Sequence, residues 1–379
     1  MKTKLLLLLS ASLSVSGTTY SQARGGSSSG GTTAAANPSV GPAASTDIGK
    51  FSNWDNLMKQ GRPGDYLVGN VSIAGGSLPW DSIPLTVNCD GKTRYTSATD
   101  PKGRFLIAPA GNGPSEVGNS EVKPKFATQF VGCSVQAALP GFDSSSVTIV
   151  NRNMQDDPNI GTITLKREDN STGGAISSTS ASAPKDAMKA YDKARTEWLD
   201  QKPDKAQHDL EKATQAYPQF AEAWYQLGKI QESAHPQDAY NSFSKAVVAD
   251  PKFILPYQQL APIAAQAGKW QDVVDDTSHE LELNPRGTPQ SWYYNALGNF
   301  KLGKVDVAEA SATKALAMDP LHTAPNDEQL LAVILAGKRD YAGALQHLRN
   351  CLTYVPPGPS ADVIKQQIAQ LEPAVAAPK

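Results

Sequence analysis

The chain has 379 residues, of which 40% are hydrophobic and 19% charged, and its formal net charge is -2. This length and composition favour two globular domains over one. The near-neutral charge excludes a protein built to neutralise nucleic-acid phosphates, and no run of eighteen apolar residues is present to span a membrane.

The first residues follow the order of an export signal. Lys2 and Lys4 precede the apolar run Leu5–Val15, which is too short to cross a bilayer. Small residues at Ser21 and Ala23 suit a signal peptidase, so we expect residues 1–23 to be a signal peptide. The mature protein is then exported, to the periplasm or beyond the cell.

Two stretches are rich in Gly, Ser, Thr, Ala and Pro, at residues 24–46 and 170–184. Such segments have too few large apolar side chains to offset the entropy lost on ordering. We therefore predict a disordered segment at 24–46 and an interdomain linker at 170–184.

The region 47–169 between them contains short, β-branched runs separated by turn residues. Asp90-Gly91 is typical of a hairpin, and Pro101 suits the second position of a turn. Seven such strands predict a β-sandwich of the immunoglobulin or transthyretin type. The predicted strands are Tyr66–Ile73, Ile83–Cys89, Thr93–Ala98, Arg104–Ala108, Gln129–Leu139, Ser146–Val150 and Ile160–Leu165, and Pro109–Lys125 is predicted as an exposed loop.

One turn in this region carries a family resemblance. Thr99-Asp100-Pro101-Lys102-Gly103-Arg104-Phe105 matches a T-D-x-x-G-x-F pattern in which Asp caps the turn, Gly takes positive φ and Phe enters the core. With Gly69-Asn70-Val71 and the runs Cys133–Phe142 and Ile160–Leu165, residues 64–167 resemble the carboxypeptidase regulatory-like family. The resemblance implies a transthyretin-like sandwich without peptidase chemistry.

Three cysteines follow the signal segment. Cys89 and Cys133 lie in predicted strands of one domain, and export implies an oxidising compartment, so we expect a disulfide between them. Its closed loop of forty-odd residues is worth about 4 kcal/mol in the chain-entropy model. Cys351 falls on an apolar helix face and is predicted to be a free, buried thiol.

From Ala187 onward the pattern is helical and repeated. Five prolines, Pro218, Pro251, Pro285, Pro320 and Pro356, are 33, 34, 35 and 36 residues apart. A period near 34 is typical of tetratricopeptide repeats, which are pairs of antiparallel helices, whereas a generic helical bundle has no reason to keep the register. Residues 185–358 are therefore predicted to be five helix pairs, with 359–379 as a capping helix and tail.

Fixed offsets before each proline identify one face of each second helix. The side chains on that face are Ala206, Leu210, Ala213; Ala239, Phe243, Ala246; Val273, Thr277, Glu280; Ala308, Ala312, Ala315; and Ala344, Leu348, Cys351. Steps of four and three place each set on one side of its helix, facing its partner helix. The third set departs from the small or apolar pattern at Thr277 and Glu280.

No pattern of catalysis, cofactor or metal binding occurs. The five histidines include no pair at i, i+4, and neither HExxH nor CxxC is present. His279-Glu280-Leu281-Glu282 comes nearest to a metal cluster, but adjacent residues of a helix point apart. The sequence therefore predicts a chain that is not an enzyme and needs no cofactor or metal.

The first helix of each tetratricopeptide pair lines a concave groove. The repeat frame places Tyr191, Arg195, Trp198, Tyr225, Lys229, Gln258, Trp292, Asn295 and Asn299 there, together with Glu222, Glu232 and Gln329. Aromatic rings with cations and amides suit an extended peptide. Alternatively, some of these aromatics pack between helices.

The order of signal peptide, regulatory-like sandwich, Ser/Thr-rich linker and tetratricopeptide array also resembles a group of exported acidobacterial proteins, which implies an envelope or secreted location. We expect a protein–protein interaction scaffold that binds an unidentified protein or peptide in the groove, and no nucleic acid. The alternative is a carbohydrate-binding envelope protein, with Trp54 and Trp80 of the sandwich as the candidate rings.

Overall fold

The computed structural model describes residues 66–74, 78–107, 130–150, 157–168, 172–320, 322 and 324–376. The predicted signal peptide, the segment 24–46 and the loop Pro109–Lys125 lie outside these residues. The described chain divides into two units, a β region that ends at Ser171 and a helical unit that begins at Thr172.

The described β region contains eight strands in two four-stranded sheets. They are β1 Leu67–Ile73, β2 Pro84–Cys89, β3 Lys92–Ala98, β4 Arg104–Ile107, β5 Ser134–Ala137, β6 Phe142–Ser144, β7 Val147–Thr148 and β8 Asn159–Arg167. One sheet has the order β4-β1-β8-β6, with β1 parallel to β8 and the other pairs antiparallel. The other has the order β3-β2-β5-β7 and is antiparallel throughout.

The extra strand corrects the prediction of seven. The sequence pattern predicted one strand over Gln129–Leu139, but β5 ends at Ala137 and a turn follows, with Gly141 at φ 80°. That turn allows Phe142 to start β6, which pairs with β8 on the other sheet. An apolar run interrupted by Pro-Gly therefore contributes a strand to each sheet.

The turn between β3 and β4 has the predicted geometry. Asp100 Oδ1 accepts hydrogen bonds from the N–H groups of Lys102 (2.9 Å) and Arg104 (2.8 Å), and Arg104 Nε donates to Oδ2 at 2.7 Å. Gly103 has φ +79°, and an added Cβ would lie 2.6 Å from the Val71 carbonyl oxygen. Phe105 is completely buried, so each predicted role in this turn is confirmed.

Cys89 and Cys133 form a disulfide that links β2 to the residue preceding β5. Cys89 is the last residue of β2, and Cys133 immediately precedes β5, which pairs directly with β2 in the antiparallel sheet. The bridge therefore ties neighbouring strands whose connection spans 44 residues. Cys351 is a buried free thiol, as the sequence predicted.

The helical unit consists of five consecutive helix pairs and one final helix. They are α1 Lys185–Leu199, α2 Pro203–Ala216, α3 Ala221–Gln231, α4 Pro236–Ala249, α5 Leu255–Gln266, α6 Trp270–Leu283, α7 Pro289–Lys301, α8 Val305–Met318, α9 Pro325–Gly337, α10 Tyr341–Tyr354 and α11 Pro359–Ala376. Each of the five prolines is the second residue after the end of a second helix. All fifteen predicted second-helix positions are buried. The helical unit is thus a solenoid of the tetratricopeptide type.

The last helix, α11, packs against the fifth helix pair. Ile364 and Leu371 of α11 join a buried cluster with Leu345, Leu348 and Cys351 of α10. Gln329 of α9 donates through Nε2 to Gln367 of α11 at 3.0 Å. The groove position predicted for Gln329 is therefore occupied by the capping helix.

Candidate peptide-binding surface

Two aromatic residues predicted for the groove lie between helices instead. Tyr225 is 2% exposed, and its ring centroid lies 5.7 Å from that of Phe243 and 5.4 Å from that of Phe253. Tyr191 is 8% exposed, with its ring 4.9 Å from that of Phe220. The small residues of the second helices bring the helices close together, so these rings fill the interior and are not available to a partner.

Asn295 and Asn299 of α7 are also buried, within a polar network. Asn295 Nδ2 donates to Thr277 Oγ1 at 3.0 Å, and its Oδ1 accepts from Ser311 Oγ at 2.8 Å. Asn299 Nδ2 donates to the Asn295 carbonyl oxygen at 2.9 Å. The Asn295 amide bonds the polar side chain of Thr277, which departs from the repeat pattern, and Asn299 bonds Asn295, so both asparagines serve packing rather than an open groove.

Gln258 and Trp292 are partly exposed but bonded within the array. Gln258 Nε2 donates to Glu280 Oε1 at 2.8 Å. Trp292 Nε1 donates to the Arg286 carbonyl oxygen at 3.0 Å, and Lys314 Nζ lies 4.1 Å from the centre of its ring system. These contacts fix both side chains to the third and fourth repeats.

Arg195, Trp198 and Lys229 are three predicted groove residues that retain partial exposure. They lie on α1 and α3, the first helices of the first two repeats. Lys229 also forms an ion pair with Glu232 at 3.6 Å. We refer to Arg195, Trp198 and Lys229 as the first-helix face.

A second surface lies along the loops that join one helix pair to the next, and part of the predicted linker covers it. Residues 172–182, here called the strap, run back across these loops from the third repeat to the first. We call the loops 217–220, 250–254 and 284–288, with the adjoining helix ends, the loop edge. The prediction of a linker with nothing to pack against is therefore wrong for the described residues from 172 onward.

The strap begins with main-chain pairing. The Gly174 N–H donates to the Lys252 carbonyl oxygen at 3.1 Å, and the Ile254 N–H donates to the Gly174 carbonyl oxygen at 3.0 Å. Gly174 thus forms a parallel β-bridge with Phe253. Thr172 Oγ1 donates to the carbonyl oxygen of Leu283, the last residue of α6, at 3.0 Å.

Carboxylates then hold the serines of the strap. Asp250 Oδ2 accepts from Ser177 Oγ (2.6 Å), the Ser178 N–H (2.9 Å) and Ser178 Oγ (3.2 Å). Glu222 Oε1 accepts from the Ser177 N–H at 3.1 Å, while the Glu222 N–H donates to Ser180 Oγ at 3.3 Å. Ser180 thereby caps α3, whose own N-cap residue makes no side-chain capping bond.

The strap fits closely at its small residues. A Cβ atom on Gly173 would lie 2.9 Å from both the Leu283 Cβ and the Lys252 carbonyl oxygen. Ala175 and Ser177 are buried. Larger side chains at these positions would lift the strap from the loop edge.

Helix α6 carries acidic groups with altered protonation. Burial, reinforced by the Asp272 and Asp275 carboxylates, raises the pKa of Asp276 to about 7. Burial also raises the pKa of Glu280, although hydrogen bonds from Ser291 and Gln258 oppose the rise. Asp276 and Glu280 keep their protons to a higher pH than exposed acids do, and a protonated carboxyl group carries no charge. This explains how the third repeat tolerates these polar side chains.

A further polar cluster lies at the start of α9. Glu328 is buried, with Oε2 2.5 Å from His347 Nδ1 and Oε1 3.6 Å from His322 Nδ1. Cys351 Sγ donates to the Pro325 carbonyl oxygen, and burial next to Glu328 raises the pKa of this thiol to about 12. The protonated thiol is a poor nucleophile at neutral pH.

Among the described residues, no group of three or more His, Cys, Asp or Glu side chains is placed to hold a metal ion. Within the same residues, every helix is too short or too polar to cross a bilayer. Trp80, a candidate sugar-binding ring, is 8% exposed and so offers no open face, and Trp54 lies outside the described residues.

No protein-family model matches the chain, and no curated protein is significantly similar to it. Solved structures resemble the helical part. MamA from Desulfovibrio magneticus RS-1 is 15% identical, with a TM-score of 0.41 over 45% of this chain and 96% of its own. YrrB, described as a TPR protein with an unusual peptide-binding site, is 18% identical, with a TM-score of 0.43 over 48% and 91%.

PilF from Pseudomonas aeruginosa is 14% identical, with a TM-score of 0.39 over 49% of this chain and 88% of its own. With TM-scores below 0.5, these likenesses carry no inference about function. The assignment of the helical unit rests on its own geometry: consecutive helix pairs, a period near 34 residues and a buried face at the predicted positions of every second helix. These features identify it as a tetratricopeptide-type repeat array.

Proposed function

We propose that this protein is a non-catalytic interaction scaffold of the cell envelope, and that its helical array binds a partner polypeptide in an extended conformation. One observation carries the proposal: the array holds a stretch of its own chain through main-chain hydrogen bonds between Gly174 and the loop residues Lys252 and Ile254. Main-chain pairing of this kind is a general means of peptide recognition.

The first-helix face supplies side chains for the same partner within the concave groove. Arg195 and Lys229 bring positive charge, and Trp198 brings a large ring. Aromatic and arginine side chains carry much of the binding energy in protein interfaces, while charges at the rim mainly affect the association rate. The partner is therefore proposed to carry acidic and apolar groups.

The proposed location rests on the export signal in the sequence, and the Cys89–Cys133 disulfide agrees with an oxidising compartment. The β region is proposed to be a transthyretin-like sandwich of the carboxypeptidase regulatory-like type. Its support is the Asp100–Phe105 turn together with the two small sheets.

The test is cross-linking capture from the native cell envelope with the full chain. A variant with Arg195→Ala, Trp198→Ala and Lys229→Ala should capture the partner identified with the wild type about thirtyfold more weakly, since a buried aromatic anchor is worth roughly 2 kcal/mol. The matched control is Lys365→Ala, which changes an exposed lysine of the capping helix.

Thermal unfolding should show that the triple variant and the control keep the wild-type midpoint. Undiminished capture by a folded triple variant would contradict groove binding. A fragment that ends at Asp169 and captures the same partner as well as the full chain would move the binding function to the β region.

A further inference from the structure

The strap contacts three successive repeats, although it precedes all of them in the chain. Its hydrogen bonds reach Tyr217 at the end of the first repeat, Glu222 of the second repeat and Leu283 at the end of the third repeat. The loop edge of these repeats is therefore already occupied by a peptide segment, which pairs through its main chain at Gly174 and ends in a 3-10 helix at Thr179–Ser182.

We propose that the strap is a built-in occupant of a peptide-binding site, and that a segment of a partner protein, paired through its main chain with the loop as Gly174 is, replaces it at Asp250 and Lys252–Ile254. The inference rests on the proposed function of the array as a peptide-binding scaffold, and adds to it the partner's chemistry and the means of regulation. While the strap is bound to the loop edge, a partner segment cannot bind there.

The contacts of the strap suit an exchangeable ligand. From Thr172 to Ser182 its sequence is TGGAISSTSAS, in which Ile176 is the one large apolar side chain. The strap is held mainly by hydrogen bonds, and these exchange with water at a small net change in free energy. A tethered segment of this kind competes through its high effective concentration rather than through intrinsic affinity.

The same contacts define the partner's sequence. The closeness of Leu283 and Lys252 to Gly173 requires the smallest residue there, and the burial of Ala175 requires another small one. Asp250 Oδ2 requires hydroxyl and N–H donors two and three residues further along. A fitting segment has three small residues, then one of any type, then two serines or threonines, and it can turn after the small residues as the strap does.

The test uses a fluorescent peptide of the strap sequence, Thr172–Ser182, and full-length protein. In the Gly173→Val chain, the added side chain meets a backbone oxygen that cannot give way, so the tethered strap leaves the loop edge. Fluorescence anisotropy should show that this variant binds the peptide at least about tenfold more tightly than the wild type, because the competing segment is gone.

Two further variants complete the experiment. Adding Asp250→Ala to Gly173→Val should abolish the gained binding, because the acceptor of the serines is lost. Ser182→Ala should behave as the wild type, since this exposed side chain lies beyond the docked serines. Equal peptide affinity of the wild type and a folded Gly173→Val chain, or no binding to either, would overturn the proposal.

If Gly173→Val does not fold, Ser177→Ala with Ser178→Ala removes two of the bonds to Asp250 and must produce the same direction of change. The peptide assay requires no native partner, so its failure is separable from failure of the scaffold proposal. If altering the first-helix face weakens capture from the envelope, the scaffold proposal still stands. That holds even if the strap proves to be a permanent part of the fold.

Discussion

One partly buried carboxyl group, Asp276, should contribute to a pH dependence of the stability of the array. The folded chain holds the proton of Asp276 up to about pH 7, because burial and two neighbouring aspartates oppose ionisation, whereas the unfolded chain releases it near the ordinary value of 3.8. Between these values the folded state binds more protons. The free energy of unfolding should therefore fall as the pH rises from 4 to 7, and this contribution should level off above 7.

Asp276→Asn removes that titration, so the variant should be more stable than the wild type at pH 8 and differ less at pH 5. Urea unfolding at the two pH values measures the change. Asp192→Asn, an exposed aspartate of α1, is the control and should leave the pH profile as it is in the wild type. A wild-type profile in Asp276→Asn would show that another group sets the dependence.

At the scale of residues, sequence patterns predict what is determined locally. Asp100 and Gly103 could be assigned because a tight turn imposes its own chemistry. The sequence could not show that Tyr225 and Asn299 are buried rather than exposed in the groove. The repeat pattern tells which side of the helix a residue occupies, but not how closely the neighbouring helices and loops pack against that side. Tyr225 packs against Phe253 of the following loop, and Asn299 bonds to Asn295, which bonds in turn to Thr277 of the preceding helix.

At the scale of elements, small residues on the second helices set how closely the helices pack. Ala246 of α4 is completely buried, whereas Val248, two residues further, is 78% exposed. Ala246→Phe should destabilise the array by at least about 3 kcal/mol because the added ring has no space. The matched change Val248→Phe should cost less than about 0.5 kcal/mol.

Thermal unfolding followed by helical circular dichroism compares the two variants. Similar midpoints for both would mean that the helix pair can open around a large side chain at Ala246, which would contradict the tight packing described for this face.

The strap shows where prediction of elements fails. Repetition made all five helix pairs predictable, because a proline follows each second helix at nearly constant intervals and small or apolar residues precede four of the five prolines at the same offsets. The strap occurs once, and its Gly, Ser and Thr composition is the one expected of a disordered segment. Its order comes from acceptors supplied by Asp250 and Lys252, more than seventy residues away, which no local pattern contains.

At the scale of the whole molecule, the boundary between the two units falls before the strap. A helical fragment of residues 172–379 should therefore be more stable than one of residues 185–379, although both contain every helix described above. The difference should be about 2 kcal/mol, the net worth of a few hydrogen bonds to charged and main-chain groups after the entropy of ordering.

Urea unfolding of the two fragments measures that difference. The longer fragment carrying Gly173→Val serves as the control and should unfold like the shorter one. Equal midpoints for the two unaltered fragments would mean that the strap adds no stability to the repeats.

The pairing of Gly174 with Lys252 and Ile254 also determines how the molecule responds to mechanical load. Tension that reaches the array from the β region meets it first at Leu283 and the loop around Phe253, in the middle repeats, rather than at α1. While the strap stays seated, the first repeat is shielded from that force. Once the strap detaches, about a dozen residues of chain can extend before any helix bears the force. The strap would therefore detach first under load and protect the helices behind it.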